Sequence, residues 1–298
     1  MKKNIVFSTV FFGSEKDSLI ILKKALSLPY LKIATIVTQP PRPTGRGQSI
    51  TPTPVEQFAK KNKLPLITPT KLNFKSYQII KQQTPDLALL AAYGNLIPQR
   101  LINLFPQGII NVHPSLLPQF RGPTPVVQAI LNNNRITGVS LFLIDNKIDH
   151  GPIIAQKKLV IKDNDTQESL AKNLFHLGAQ LLAEKLPNYL EGHTPPEPQN
   201  HHQATFTKLL SRQDGQIKAS WLKKALKGNR NLTNKVDRMI RAFYPWPGTY
   251  TIINGQRIKI ISAHKEKNYL KLDLIQFPGR KPIVWNKNLI KSLFLNEI

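Results

Sequence analysis

Cysteine is absent from this chain of 298 residues. That excludes disulfides, thiolate metal sites and a thiol nucleophile. Acid is scarce: 17 Asp and Glu face 42 Lys and Arg, leaving a net charge of +25. A field of that sign attracts polyanions, and nucleic acid is the usual one. No apolar run reaches the roughly 18–20 residues that a bilayer span needs. The basic start at Met1–Asn4 resembles a leader only briefly, because Gly13, Glu15, Lys16 and Asp17 interrupt it and no small-residue cleavage site follows. The seven histidines include the pair His201–His202 but no HExxH-type spacing, so no metal is expected. A soluble, cytoplasmic protein follows from these absences, with no membrane partner.

Hydrophobic residues at 41% are enough for a packed core. The length suits two domains of roughly 100–200 residues each. Short apolar runs at Ile5–Phe12, Leu31–Thr38, Leu64–Thr68, Leu87–Ala92, Gly108–His113 and Gly138–Ile144 read as strands. Helical spacing marks Asp17–Leu28, Val55–Asn62 and Pro123–Asn134 between them. Such alternation predicts an α/β domain with a Rossmann-like, mostly parallel sheet covered on both faces. Asp165-Thr166-Gln167-Glu168 resembles a capping box with Asp165 as the cap, opening a helix to about Leu190. Residues 191–205, with Pro195, Pro196 and Pro198, read as a linker. Residues 206–298 then begin with a helical stretch near Ser220–Phe243 and continue with four short strands, which predicts a small OB-like barrel. From Thr207 onward 19 basic residues face five acidic ones, so this third is more than twice as basic per residue as the rest.

The chemistry concentrates in Asn111-Val112-His113-Pro114-Ser115-Leu116-Leu117-Pro118. With Val112 turned to the buried face, Asn111 and His113 share the opposite one. A carboxamide beside an imidazole can polarise a carbonyl, hydrogen-bond its oxyanion and pass protons near neutral pH. Gly138–Ile144 leads to Asp149-His150-Gly151-Pro152, where Asp149 sits on a tight turn; Asp145 reads as the residue that ends the strand. In a parallel sheet the carboxyl ends of strands meet in one crevice, so His113 and Asp149 are expected to converge. A strand-end histidine with two turn residues is the ordinary alternative.

The string Asn-Val-His-Pro-Ser-Leu-Leu-Pro, then Arg121-Gly122, Thr137-Gly138-Val139 and Asp-His-Gly-Pro, resembles the folate-dependent formyltransferase family. The likeness runs from about Asn4 to Trp285. It implies that Asn111, His113 and Asp149 are catalytic, and that Ser115, Leu116, Leu117 and Pro118 line a site for 10-formyltetrahydrofolate. Ala92-Tyr93-Gly94 is similar to a turn near the pterin pocket in the tRNA-acting members, which adds Tyr93 and Gly94 to the folate site. The loop Thr38–Gln48 resembles their basic loop, which implies tRNA contacts by Arg42 and Arg46. Ile240–Gly248 resembles their C-terminal aromatic corner. The implied activity is formyl transfer to the methionine of initiator tRNA, with residues 206–298 as a basic tRNA-binding domain and the enzyme acting as a monomer. Two departures stand out: Pro114 where bacterial members frequently have Gly, and Phe12-Gly13-Ser14-Glu15-Lys16 in place of Gly-Thr-Pro-Glu/Asp-Phe. A small-amine formyltransferase, a formyltetrahydrofolate hydrolase and a non-catalytic RNA-binding protein are the rival readings.

Overall fold

The computed structural model describes residues 5–45 and 47–286. They divide into two compact units. The first runs to Pro123 and adds Ile136–Val160 and Ala171–Thr207; the second comprises Thr124–Arg135, Ile161–Leu170 and the chain from Lys208. Among the described residues, no helix is long and apolar enough to cross a membrane.

The first unit holds strands β1 (Phe7–Gly13), β2 (Leu31–Val37), β3 (Arg42–Thr44), β4 (Ser49–Thr51), β5 (Leu66–Ile67), β6 (Leu87–Ala91), β7 (Ile109–His113), β8 (Ile136–Leu143) and β9 (Ile153–Val160). Seven of them form one sheet in the order β5-β2-β1-β6-β7-β8-β9, while β3 and β4 pair as a separate hairpin. Alternation decides which face each strand residue serves. Phe11, Leu89, Ala91, Ile110 and Val112 pack on one face with Ile21, Leu22 and Ala25 of helix α1 (Ser18–Leu26). Val10, Phe12, Ala88 and Ile109 pack on the other with Ile80, Leu101 and Phe105. Each such Val, Leu, Ile or Phe side chain, once buried, contributes roughly 1.5–3 kcal/mol. Helices α2 (Pro54–Lys61), α3 (Phe74–Lys81) and α4 (Gln99–Ile102) complete the cover. The patterning did not reveal α3 or α4.

The sheet is mostly parallel, as expected, and β8 alone runs against the other six strands. β5, β2, β1, β6 and β7 are parallel, but β8 pairs antiparallel with β7 and β9 antiparallel with β8. The helix between β7 and β8, α5 (Pro125–Leu131), looks in sequence like a crossover cover. Instead it packs on helix α8 (Arg230–Ala242) within the second unit; α6 (Gln167–Leu190) and α7 (Ala219–Leu226) come between the two in the chain. With no helix covering that connection, a parallel return is not enforced. The N-terminal cap of α6 is Thr166, not Asp165. Thr166 N–H donates to Ser169 Oγ at 3.0 Å and Ser169 N–H to Thr166 Oγ1 at 3.2 Å. Asp165 instead accepts from Ser169 Oγ and from Lys162 N–H.

Further along α6, Gly178 lies against the sheet, where a Cβ would come within 2.5 Å of Val112 Cγ1. Only glycine lets the helix settle on the strand that carries Asn111 and His113. The segment 191–205 is not a loose tether. Glu197 exchanges backbone hydrogen bonds with Ile153, and Arg121 bridges to Phe206.

In the second unit, β10 (Thr249–Ile253), β11 (Gln256–Glu266), β12 (Tyr269–Gln276) and β13 (Ile283–Val284) form an antiparallel meander in sequence order. Ile258, Ile260, Leu272 and Ile275 pack with Leu222, Val236 and Ile240. The small β domain is there; among the described residues its sheet is open, with no pair between β10 and β13 to close a barrel. The helical stretch near Ser220–Phe243 breaks at Gly228 (φ +92°), where a Cβ would meet the Tyr269 ring at 2.8 Å.

Candidate active site

Asn111 and His113 end β7 on the face opposite Val112, and both are buried. Among the described residues the Asn111 carboxamide makes no side-chain hydrogen bond. His113 is held on both sides. Its Nε2 lies 3.1 Å from Phe120 O, and its Nδ1 lies 3.6 Å from Asp149 Oδ2. A carbonyl oxygen can only accept, so Nε2 carries the hydrogen in this arrangement and Nδ1 faces the carboxylate. The ring meets Phe142 edge-on at 6.2 Å.

His113 and Asp149 do converge, but not as two carboxyl ends side by side. His113 is opposite Ser140, and the end of β8 at Leu143 lies beside Ile110, toward the other end of β7. The carboxylate is brought in because loops 114–122 and 144–152 fold toward each other, joined by Gly122 N–H donating to Asp149 Oδ2 at 2.6 Å. Asp149 holds a left-handed backbone (φ +45°) that Asp tolerates better than most residues. Asp145 ends the strand as a turn residue: it accepts from Lys147 N–H and pairs with His150 at 2.6 Å.

Ser115 and Leu117 point into the protein, whereas Leu116 and Pro118 are half-buried. The turn is bonded from within. Ser140 Oγ donates to Ser115 O and accepts from Leu117 N–H, and Gln156 Nε2 donates to Leu117 O. Any ligand on this turn therefore meets Leu116, Pro118 and the backbone edge. Tyr93 and Gly94 follow β6, beside β7 in the sheet. The Tyr93 ring packs edge-on against Phe12, so it is the main chain here that can face a ligand; burial pushes its phenol pKa up. Ser14, from the divergent turn after β1, donates to Tyr93 O, and Gln39 Nε2 donates to the same oxygen at 2.7 Å. Arg42 is exposed on the β3–β4 hairpin, paired in register with Thr51. Its charge lowers the Glu15 carboxyl pKa, but burial raises that pKa more strongly. Arg46 lies outside the described residues.

Three further residues gather at the centre. Arg121 is buried and donates to Gln199 Oε1 from Nε at 3.1 Å and from Nη2 at 2.6 Å. Burial lowers its pKa, while Asp149 and Asp145 act in the opposite sense. Nη2 also lies 2.8 Å from His201 Nδ1. His201 stacks on His150 at 4.0 Å. Gln199 and His201 come from the Pro-rich run, where only the His-His pair offered a signal. The site thus presents a free amide, a fixed imidazole and a carboxylate to a reacting carbonyl.

A family model described as formyl transferase matches residues 8–186, and one described as formyl transferase, C-terminal domain, matches residues 230–289. The methionyl-tRNA formyltransferase of Roseiflexus castenholzii is 40% identical over 255 residues, covering 85% of this chain and 78% of the relative. That of Dictyoglomus thermophilum is 38% identical over 269 residues, covering 89% and 82%. This chain belongs to the methionyl-tRNA formyltransferases. It is therefore a transferase of one-carbon units. Solved formyltransferases share its fold. A 4-N formyltransferase from Francisella tularensis superposes with a TM-score of 0.66 at 17% identity, over 87% of this chain and 98% of that one. The methionyl-tRNA formyltransferase from Clostridium thermocellum does so with a TM-score of 0.58 at 17% identity, over 91% and 99%.

Proposed function

We propose that this formyltransferase moves the formyl group of 10-formyltetrahydrofolate onto the methionine amine of initiator tRNA, with Asn111, His113 and Asp149 as the catalytic groups. The observation that carries the assignment is the buried His113, with Nε2 on Phe120 O and Nδ1 facing Asp149, beside an amide with no partner of its own. The neutral amine attacks the formyl carbon, an N–C bond forms, and the bond to the folate nitrogen breaks. Asn111 donates to the developing oxyanion, with His113 beside it. Nδ1 of His113 and the Asp149 carboxylate take the proton the amine loses and return one to the departing nitrogen. Ser115–Pro118 and Tyr93–Gly94 are the stretch we assign to the folate. Arg42 and Arg46 are assigned to the tRNA, with the residues after 205 supplying most of the phosphate contacts. A pocket of about 260 Å³ lined by Arg230, Lys265, Lys267, Thr233, Asn234 and Asn268 supports that reading, because it carries three cations and no acid. A monomer acting in the cytoplasm completes the picture.

Incubation with 10-formyltetrahydrofolate and either Met-tRNA, a small ribonucleotide amine, an amino sugar or water tests the acceptor. Formyl-Met-tRNA is the expected product; transfer to a small amine alone overturns the tRNA assignment.

A further inference from the structure

We infer that Gln199 is a positioning residue for the transfer step, through a strap at residues 197–207 that fixes the partners of both His113 ring nitrogens. The inference rests on the assignment of His113 and Asp149 to catalysis. Gln199 is buried, and its whole hydrogen-bonding capacity is spent on the site. Nε2 donates to Asp149 O at 3.0 Å and to Gly151 O at 2.7 Å. Oε1 accepts both Arg121 bonds. The Asp149 backbone is thereby clamped in its left-handed conformation, with the carboxylate turned toward Nδ1. The strap also reaches the other side of the ring. Thr205 Oγ1 accepts from Phe120 N–H at 2.8 Å, and Phe120 O is the partner of Nε2. Arg121 N–H donates to Thr205 O, and Arg121 O accepts from Thr207 N–H. The strap thus holds the residue before Gly122, which grips the carboxylate. The strap reaches His113 only through Asp149 and Phe120, with no hydrogen bond of its own, among the described residues, to the His113 ring or to the Asn111 amide.

The decisive variant is Gln199→Glu. It keeps an acceptor for Arg121 but replaces the Nε2 donor with an oxygen facing two carbonyls. A small misplacement of a catalytic group can cost about 10²-fold in rate. We expect kcat for Met-tRNA formylation to fall about 10²-fold while KM for both substrates holds within about twofold, the split of a group that acts only on the transfer step. Added to Asp149→Asn, it lowers kcat no further, because it acts through Asp149. A kcat within about threefold of the parent, or losses that multiply in the double variant, overturns the role. Wild-type kcat in Asp149→Asn alone overturns the catalytic assignment, and this inference with it. Should Gln199→Glu not fold, the exposed Thr205→Val decides: about a tenfold loss of kcat at unchanged KM supports the strap, and an unchanged kcat overturns it.

Discussion

In the first unit the groups proposed for catalysis are few, buried and held; in the second the cations proposed for tRNA binding are many and mostly exposed. His113, Asn111 and Arg121 are almost wholly covered, and each partner of His113 is fixed by a second hydrogen bond. The second unit shows cations on its surface, several leaning on aromatic faces: Lys235 lies 3.7 Å from the Trp221 ring centroid and Arg257 lies 3.6 Å from that of Tyr250. The difference fits the roles proposed for each. Stabilising an oxyanion requires donors already in place, whereas attracting a polyanion requires only charge at roughly the right distance. Rate and salt dependence should therefore separate cleanly between the two.

The largest effect tests the first half of that contrast. His113→Ala should lower kcat by about 10²–10³ and leave the salt dependence of tRNA binding as it was. A parallel change in both, seen by single-turnover kinetics and filter binding across a salt series, would break the comparison. Next comes the joint change Arg230→Ala and Lys267→Ala. Each phosphate contact contributes about 0.7–0.9 to the slope of log affinity against log salt, so the pair should flatten it by about 1.4–1.8 at unchanged kcat. Arg42→Ala should remove a single contact by the same measure. The smallest effect concerns His201, whose pKa is lowered first by burial, then by His150 and Arg121. A histidine held below its unfolded value near 6.5 favours the folded state above that pH and loses this contribution as pH falls through it. Amide protection factors around residues 199–207, taken relative to the intrinsic exchange rate at each pH, should fall as pH drops below about 6.5. In His201→Gln they should hold constant over the same range.

The parallel part of the sheet was legible because β1, β2, β6 and β7 are continuous apolar runs, as strands buried on both faces must be. β9 was missed because it lies at the sheet edge, where Gln156, Lys157 and Lys158 break the pattern. The direction of β8 could not be read either: α5 has the pattern of a crossover helix, and only its packing on α8 shows otherwise. Asn111, His113 and Asp149 stood out through the chemistry of their side chains. Gln199 did not, since a glutamine among prolines looks like linker. What defines it are bonds to residues 48 to 78 positions away, and no local pattern records those.

The antiparallel β8 also sets where this enzyme can grow. Beyond Ser140, opposite His113, the chain runs about 10 Å farther down β8 before it leaves the sheet at Leu143. It then has to climb back, and the climb has slack on one side only. Asp149 is moored from across the loop, by Gly122 and Gln199, so extra residues in the exposed turn at Asn146–Lys147 would bulge outward and leave the carboxylate where it is. Between Asp149 and Pro152 there is no such freedom. A Cβ at Gly151 would collide with Leu143 O, and Pro152 O receives Leu143 N–H. Natural length variation in this loop is therefore expected to be one-sided, ahead of the aspartate and never behind it.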